Sequence, residues 1–312
     1  MAKKRVSVAN FNVVFYVGKE ERALLDHFDD IVMPVFNSGI IKKSGDATYR
    51  LMDVQVKQEN DDYLLTGLIV KKTMLEIKSD LNDKGELIEL DEKYPTAPFS
   101  TFIIYLKNHR MLYAENQKGS PNLKTFRSTI QYMFSQYLRD ILKDKGKEEK
   151  KNFPIPIVNV VGIPTREHLK DVLKNVEKVE KLTLRFYPLN GDLDIIGMME
   201  GFSSELRKLV GSKNGEIILK SPENIDGILE VVGRAEGTAE PIFDVRYPGK
   251  RKGKISNDTL SESMEMEISG DNIGQEIEML MDKGKDIKSL SYVSDGNKEI
   301  YDKNKNKIIP YL

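Results

Sequence analysis

Between Tyr49 and Ala114 the chain is a succession of strand-length apolar runs broken by turn residues, and one long amphipathic segment follows at once. That order restricts the fold more than any other feature. Runs rich in β-branched and aromatic residues need hydrogen-bonded neighbours, and short turns between them make those neighbours antiparallel. YRLMDVQV, YLLTGLIV, TMLEIK and ELIEL, separated by Asn60-Asp61-Asp62 and by Asn82 to Gly85, predict a meander of antiparallel strands. Phe99 to Leu106 and Arg110 to Ala114 flank Lys107-Asn108-His109 and predict a hairpin. The segment after it has Ser120 as an N-cap, Pro121 at the first helical position, and a pattern that runs to Leu142. Leu123, Phe126, Ile130, Met133, Phe134, Tyr137 and Ile141 recur at three and four, which is a face for docking on a sheet. Upstream, Arg5 to Val17 reads as a strand, and Glu20 to Phe36 reads as an amphipathic helix.

The charged stretch KDKGKEEKKN, residues 143–152, has no apolar side chain and is the best domain boundary in the chain. Beyond it FPIPIVNVVGIP, EKLTLRFYPL, GEIILK, PIFDVRYP and MEMEIS predict strands, with helices near residues 165–175, 203–211 and 222–232. The tail DIKSLSYVSDGNKEIYDKNKNKIIPYL suits a terminal hairpin through its Asp-Gly and Lys-Asn turns. A length of 312 residues favours two domains over one. The expected architecture is therefore α+β, with two domains, 1–145 and 153–312, each a largely antiparallel sheet packed with a few helices.

Composition removes whole classes of chemistry. With no cysteine there is no disulfide, thiolate nucleophile or cysteine zinc site, and His27, His109 and His168 are the only imidazoles. No glycine-rich phosphate loop, nucleophile elbow or paired-histidine zinc motif occurs, so no cofactor is expected. No run approaches the roughly 20 apolar residues of a membrane span, which with the absence of cysteine predicts a cytoplasmic protein. The formal net charge is -1, so any attraction to nucleic acid must be local.

Positive charge is concentrated around the long helix. From Lys107 to Arg139 the basic residues are Lys107, Arg110, Lys118, Lys124, Arg127 and Arg139, against Glu115 alone. On the helix itself, Lys124, Arg127, Ser128, Gln131, Ser135 and Arg139 share one face about 22 Å long, without a carboxylate. Solvated helices ordinarily mix both signs at i and i+4, so an acid-free face fits a phosphate backbone; a solvated face or a protein contact would have the same pattern. A second cluster, Lys250-Arg251-Lys252-Gly253-Lys254, follows the turn Tyr247-Pro248-Gly249 and reads as a basic loop tip able to grip phosphate.

Three enzyme patterns occur in fragments. Asp62, Glu76 and Lys78 have the residue types of a Mg²⁺-dependent nuclease core, in which two carboxylates hold the metal and a lysine steadies the nucleophile. Asp192 and Asp194 could offer carboxylates to Mg²⁺ but follow Asn190-Gly191, where aspartates are ordinary turn residues. Arg22 to His27 resembles the RNA-cleaving motif of HEPN domains, although those are all-helical and this context is rich in strands.

The stretch Tyr94-Pro95-Thr96-Ala97-Pro98-Phe99-Ser100-Thr101-Phe102-Ile103-Ile104, the hairpin after it and the helix from Lys124 to Leu138 resemble the RexA-type phage-exclusion proteins. The strand-rich region from Leu182 to Leu193 and the Asp-x-Asn turn at Asp295 to Asn297 follow in a similar order. The resemblance implies a cytoplasmic homodimer that binds DNA without sequence preference and signals to a separate effector protein. It carries no catalytic signature, so no functional residue transfers with it. A Mg²⁺-dependent nuclease of a defence system and a non-catalytic interaction scaffold are the alternatives.

Overall fold

Alternation along the first strand decides the layering. In this computed structural model, which describes residues 2–18, 20–188, 190, 207, 209–235, 237–261, 263–268 and 272–312, β1 spans Ala2–Val17. Its side chains point alternately to two faces, so Ala9, Phe11, Val13 and Phe15 join one core while Val6 and Val8 join another. Asn10 and Asn12 continue the second face and are polar because they meet backbone carbonyls of the smaller sheet's connections. The Asn10 amide donates to the Gly237 carbonyl at 3.4 Å, and the Asn12 amide donates to that of Pro188.

After β1 come β2 (Glu20–Ala23), a 3₁₀ turn, a π turn and α1 (Met33–Phe36). The expected helix at Glu20 thus starts as a strand, and Arg22 and His27 do not share a helix. The meander follows: β3 (Lys42–Ser44), β4 (Ala47–Glu59), β5 (Asp62–Leu81), β6 (Leu87–Thr96), β7 (Phe99–Tyr105) and β8 (Arg110–Glu115). YLLTGLIV and TMLEIK are one strand, β5, whose first half pairs with β4 and β7 and whose second half pairs with β6.

Helix α2 (Leu123–Leu142) lies on the β1 face that carries Phe11. Its N-cap is Asn122, whose side chain accepts from the Thr125 amide at 2.9 Å, two residues beyond the expected Ser120. Pro121 stays outside the helix because its carbonyl is taken by the hydroxyls of Ser100 and Tyr113, at 2.7 and 2.6 Å.

The expected boundary at residues 143–152 holds an exposed helical turn, α3 (Lys147–Lys151), but the large sheet does not stop there. β9 (Ile155–Gly162) pairs with β1 from Ala9 to Tyr16, and β14 (Ser263–Ile268) pairs with β1 from Ala2 to Ser7. β8 occupies the opposite side of β1, so β9 and β14 lie end to end along one edge. The chain between them forms the second unit: α4 (Arg166–Lys174), β10 (Lys178–Phe186), β11 (Gly215–Lys220), α5 (Ile225–Ala235), β12 (Ala239–Tyr247), β13 (Arg251–Ile255) and α6 (Asn257–Leu260). Its sheet runs β11-β10-β12-β13 and is antiparallel throughout. The second domain is thus an insertion, and the division at 145/153 is displaced by strand pairing that no local pattern announces. Gly162 permits the close return, since a Cβ there would meet the Ser261 Cβ at 2.3 Å.

The C-terminal segment goes back to the large sheet. α7 (Ile273–Gly284) covers the face carrying Val6 and Val8, followed by α8 (Lys288–Ser291) and α9 (Asp295–Asn304). The expected terminal hairpin is helical instead. Ser294 accepts the Asn297 amide at 3.0 Å as an N-cap, which places Asp295 and Gly296 in a first helical turn rather than a hairpin turn. The chain is α+β, with two antiparallel sheets among the described residues. Asp192, Asp194 and most of the expected helix at 203–211 lie outside the described residues. No helix among those described is long and apolar enough to cross a membrane.

Candidate nucleic-acid interface

Part of the acid-free face of α2, Arg127 and Gln131, is engaged within the molecule. β9 is bonded to β1 on one side, and its other edge would leave backbone groups unpaired. Gln131 closes that edge like one more strand, accepting from the Val158 amide at 2.9 Å and donating to the Pro156 carbonyl at 3.2 Å. Arg127 donates to the Val158 carbonyl at 3.1 Å and to the Asn159 side chain at 2.9 Å, with its guanidinium 5.4 Å from the Tyr187 ring centre. An acid-free face is what a row of strand carbonyls demands. Arg127→Ala is expected to lower stability by about 1–3 kcal/mol in urea melts and to leave the salt dependence of nucleic-acid binding unchanged.

The other expected contacts divide. Arg110, at 1% exposure, is interior on β8. Lys107 is half-buried with its ammonium 5.7 Å from the Tyr301 ring centre. Lys118 and Lys124 are exposed, as is Arg139, whose Nε donates to the Ser135 carbonyl at 3.4 Å. Ser128 accepts from Lys42 at 2.6 Å.

The basic segment at 250–254 is not a loop tip. Lys250 sits in the turn, and Arg251, Lys252 and Lys254 belong to the edge strand β13. Arg251 stacks on Tyr247, 5.1 Å from the ring centre. Lys252 is opposite Arg246, which is opposite Lys178, so three cations form one cross-strand row. In the next row Lys254 is opposite Asp244, Asp244 opposite Lys181, and Lys181 opposite Lys220. A bulge at Glu180 is the device that brings Lys178 and Lys181 onto one face. Neighbours within a row are about 4.8 Å apart and the rows about 7 Å apart, on the face away from α4 and α5.

Three carboxylates offset these charges in part. Asp244 pairs with Lys181, and Arg246 lies 3.6 Å from Glu177 and 4.0 Å from Glu180. Lys178, Lys220, Lys252 and Lys254 are exposed and make no ion pair among the described residues. Lys178, Lys181, Lys220 and Arg246 were missed in the sequence because Glu177, Glu180 and Asp244 cancel them in any linear count. The alternation Asp244-Val245-Arg246 was a usable signal; the bulge that aligns it with β10 was not.

The nuclease residues do not converge. Asp62 and Glu76 lie at opposite ends of β5, roughly 45 Å apart along an extended strand, and Glu76 pairs with Lys93 at 2.8 Å. Among the described residues, no three His, Cys, Asp or Glu side chains gather where they could hold a metal. The histidines are tied down: His27 to Asp30 at 3.0 Å and His168 to the Thr259 carbonyl at 3.0 Å, while His109 is buried in the β7–β8 turn.

Asp62 instead belongs to a cleft of about 330 Å³ with Glu59, Tyr105, Lys107 and Lys285. Burial pushes its carboxyl up to about 6, against the opposing pull of the Tyr63 amide and the Lys107 charge. The folded state therefore holds this proton more tightly than the unfolded chain between about pH 4 and 6, and stability falls as pH rises through that window. Asp62→Asn is expected to raise stability by about 1–2 kcal/mol at pH 8 and to change nothing at pH 4, read as denaturation midpoints in the two buffers.

No protein-family model and no curated protein sequence matches the chain.

Proposed function

We propose that this chain binds DNA without sequence preference, through the cation rows of the smaller sheet rather than through α2. The observation that carries the reading is the register that sets Lys178, Arg246 and Lys252 in one row and Lys181, Lys220 and Lys254 in the next, four of the six without an ion pair among the described residues. Lysines spaced this way neutralise phosphates and read no base edge, which accounts for the lack of sequence preference. Lys250, in the turn before β13, lies at one end of the patch, while Arg251 alternates to the other face against Tyr247. The RexA-type resemblance supplies the biological setting: phage exclusion, with a separate effector protein receiving the signal.

Fluorescence anisotropy with labelled duplex DNA, single-stranded DNA and RNA, titrated at several salt concentrations with and without Mg²⁺, tests the reading. Binding to DNA that weakens steeply with salt, alike for unrelated sequences and with the probe intact, supports it. Absence of binding at low salt overturns it in favour of a protein-interaction scaffold, and probe shortened only with Mg²⁺ overturns it in favour of a nuclease.

A further inference from the structure

The second half of β5 and all of β6 leave the body of the molecule as a two-stranded ribbon. From Thr73 paired with Thr96 to Leu81 paired with Leu87, the two strands pair only with each other, over about 30 Å. The tip is well formed: Asn82 accepts from the amides of Lys84 and Glu86 at 3.0 and 2.9 Å, and Gly85 takes the positive φ of 76° that the turn needs. A lone two-stranded ribbon is marginally stable in water at best, so an ordered one calls for a partner surface.

Its two faces differ. Cross-strand partners share a face, which puts Leu75 with Tyr94, Ile77 with Glu92, Ser79 with Glu89 and Leu81 with Leu87 on one side. On that side Leu75, Leu81 and Leu87 are 54%, 64% and 73% exposed, and the only charges are the carboxylates of Glu89 and Glu92. The other side mixes signs, with Glu76 paired to Lys93 and Lys78 nearby. One face is therefore apolar and acidic, which disqualifies it as a phosphate contact and fits a groove that is apolar and basic.

The chain carries such a groove. Between the end of α2 and the start of β9, Leu138, Leu142 and Ile155 line a depression of about 540 Å³ with Arg139, Lys143 and Lys150, and no carboxylate contributes to it. Ile155 is 52% exposed there. We propose that the ribbon of one copy lies in this groove of a second copy, and that the exchange is reciprocal about a two-fold axis. Leu81 and Leu87 meet Leu142 and Ile155, and Glu89 and Glu92 meet Arg139 and Lys143. A ribbon face is roughly 300 Å², so two such contacts, counted on both partners, bury roughly 1,200 Å², the lower end of what a specific dimer needs. A closed two-fold exchange also removes both exposed ribbons at once, whereas a one-way contact would propagate into a filament.

The inference is independent of the cation rows and is tested separately. The chain is expected to sediment as a dimer at micromolar concentration, and Leu81→Lys with Leu87→Lys, or Ile155→Glu alone, is expected to halve the mass without altering the circular dichroism spectrum. Because the chain has no cysteine, one copy carrying Leu87→Cys and a tagged copy carrying Ile155→Cys can be mixed and oxidised with glutathione disulfide. A disulfide joining tagged to untagged chain supports the exchange even if the charged variants misfold. A monomeric parent chain, or disulfides only between two Leu87→Cys chains, overturns it.

Discussion

Replacing Lys178, Lys252 and Lys254 together with alanine is expected to flatten the slope of log affinity against log salt by about 2.7 for duplex DNA, and by about 2.1 for single strands. Each lysine is exposed and makes no ion pair among the described residues, so its removal subtracts one phosphate contact and leaves no buried charge behind. The loss should be the same for every DNA sequence, because a lysine on a sheet face neutralises charge and reads no base. Lys124→Ala with Arg139→Ala is the companion measurement. If it takes most of the slope while the sheet variant takes none, the contact returns to α2 and the cation rows are only a solvated ladder. Unfolding midpoints of both variants should stay within about 0.5 kcal/mol of the parent, since all five positions are exposed.

Phe126→Ala is expected to remove about 3–5 kcal/mol of stability, more than any change at the surface. The Phe126 ring sits 5.2 Å from Phe102, 5.5 Å from Tyr113 and 5.9 Å from Phe11, which belong to β7, β8 and β1. It is thus the point where α2 is fixed to three strands of the large sheet. Truncation leaves a cavity between these three rings and removes the tilted contact that each makes with Phe126. Because Gln131 and Arg127 on the same helix also close the β9 edge, loosening α2 should expose β9 to proteolysis before the rest of the large sheet. A loss below about 1 kcal/mol in a guanidinium titration would show that α2 is not anchored as described.

Much of the large sheet was legible because its determinants are local. The β7–β8 hairpin declares itself through two apolar runs and a short connection, and α2 through a single unbroken 3.6-residue period. The N-cap was misplaced by two residues because Ser120 and Asn122 are both competent caps. What separates them is the demand of Ser100 and Tyr113 for the Pro121 carbonyl, a contact between distant segments. The C-terminal tail was misread for a related reason. Asp-Gly serves a hairpin turn or a first helical turn equally well, and Ser294 settles it only when the helix has a surface to pack on.

The basic face of α2 was legible as a fact, and the contacts of Arg127 and Gln131 with β9 give it a second cause. Its lack of carboxylates is real, but carbonyls of a strand edge select against acids as strongly as phosphates do. The cation rows were invisible for the opposite reason, since a count along the chain sums charges that point to different faces.

By itself, then, the sequence determined the class of the protein: an α+β chain built on antiparallel strands, one long helix docked by its apolar face, and no cysteine or histidine cluster for metal or thiol chemistry. Those properties follow from periodicity and composition, which act over a few residues. Only the tertiary structure decided that β9 and β14 flank an inserted sheet, that Arg127 and Gln131 face inward, and that six lysine and arginine side chains from four strands align. Each depends on register between segments far apart in the chain, where a shift of one residue turns every side chain to the other face.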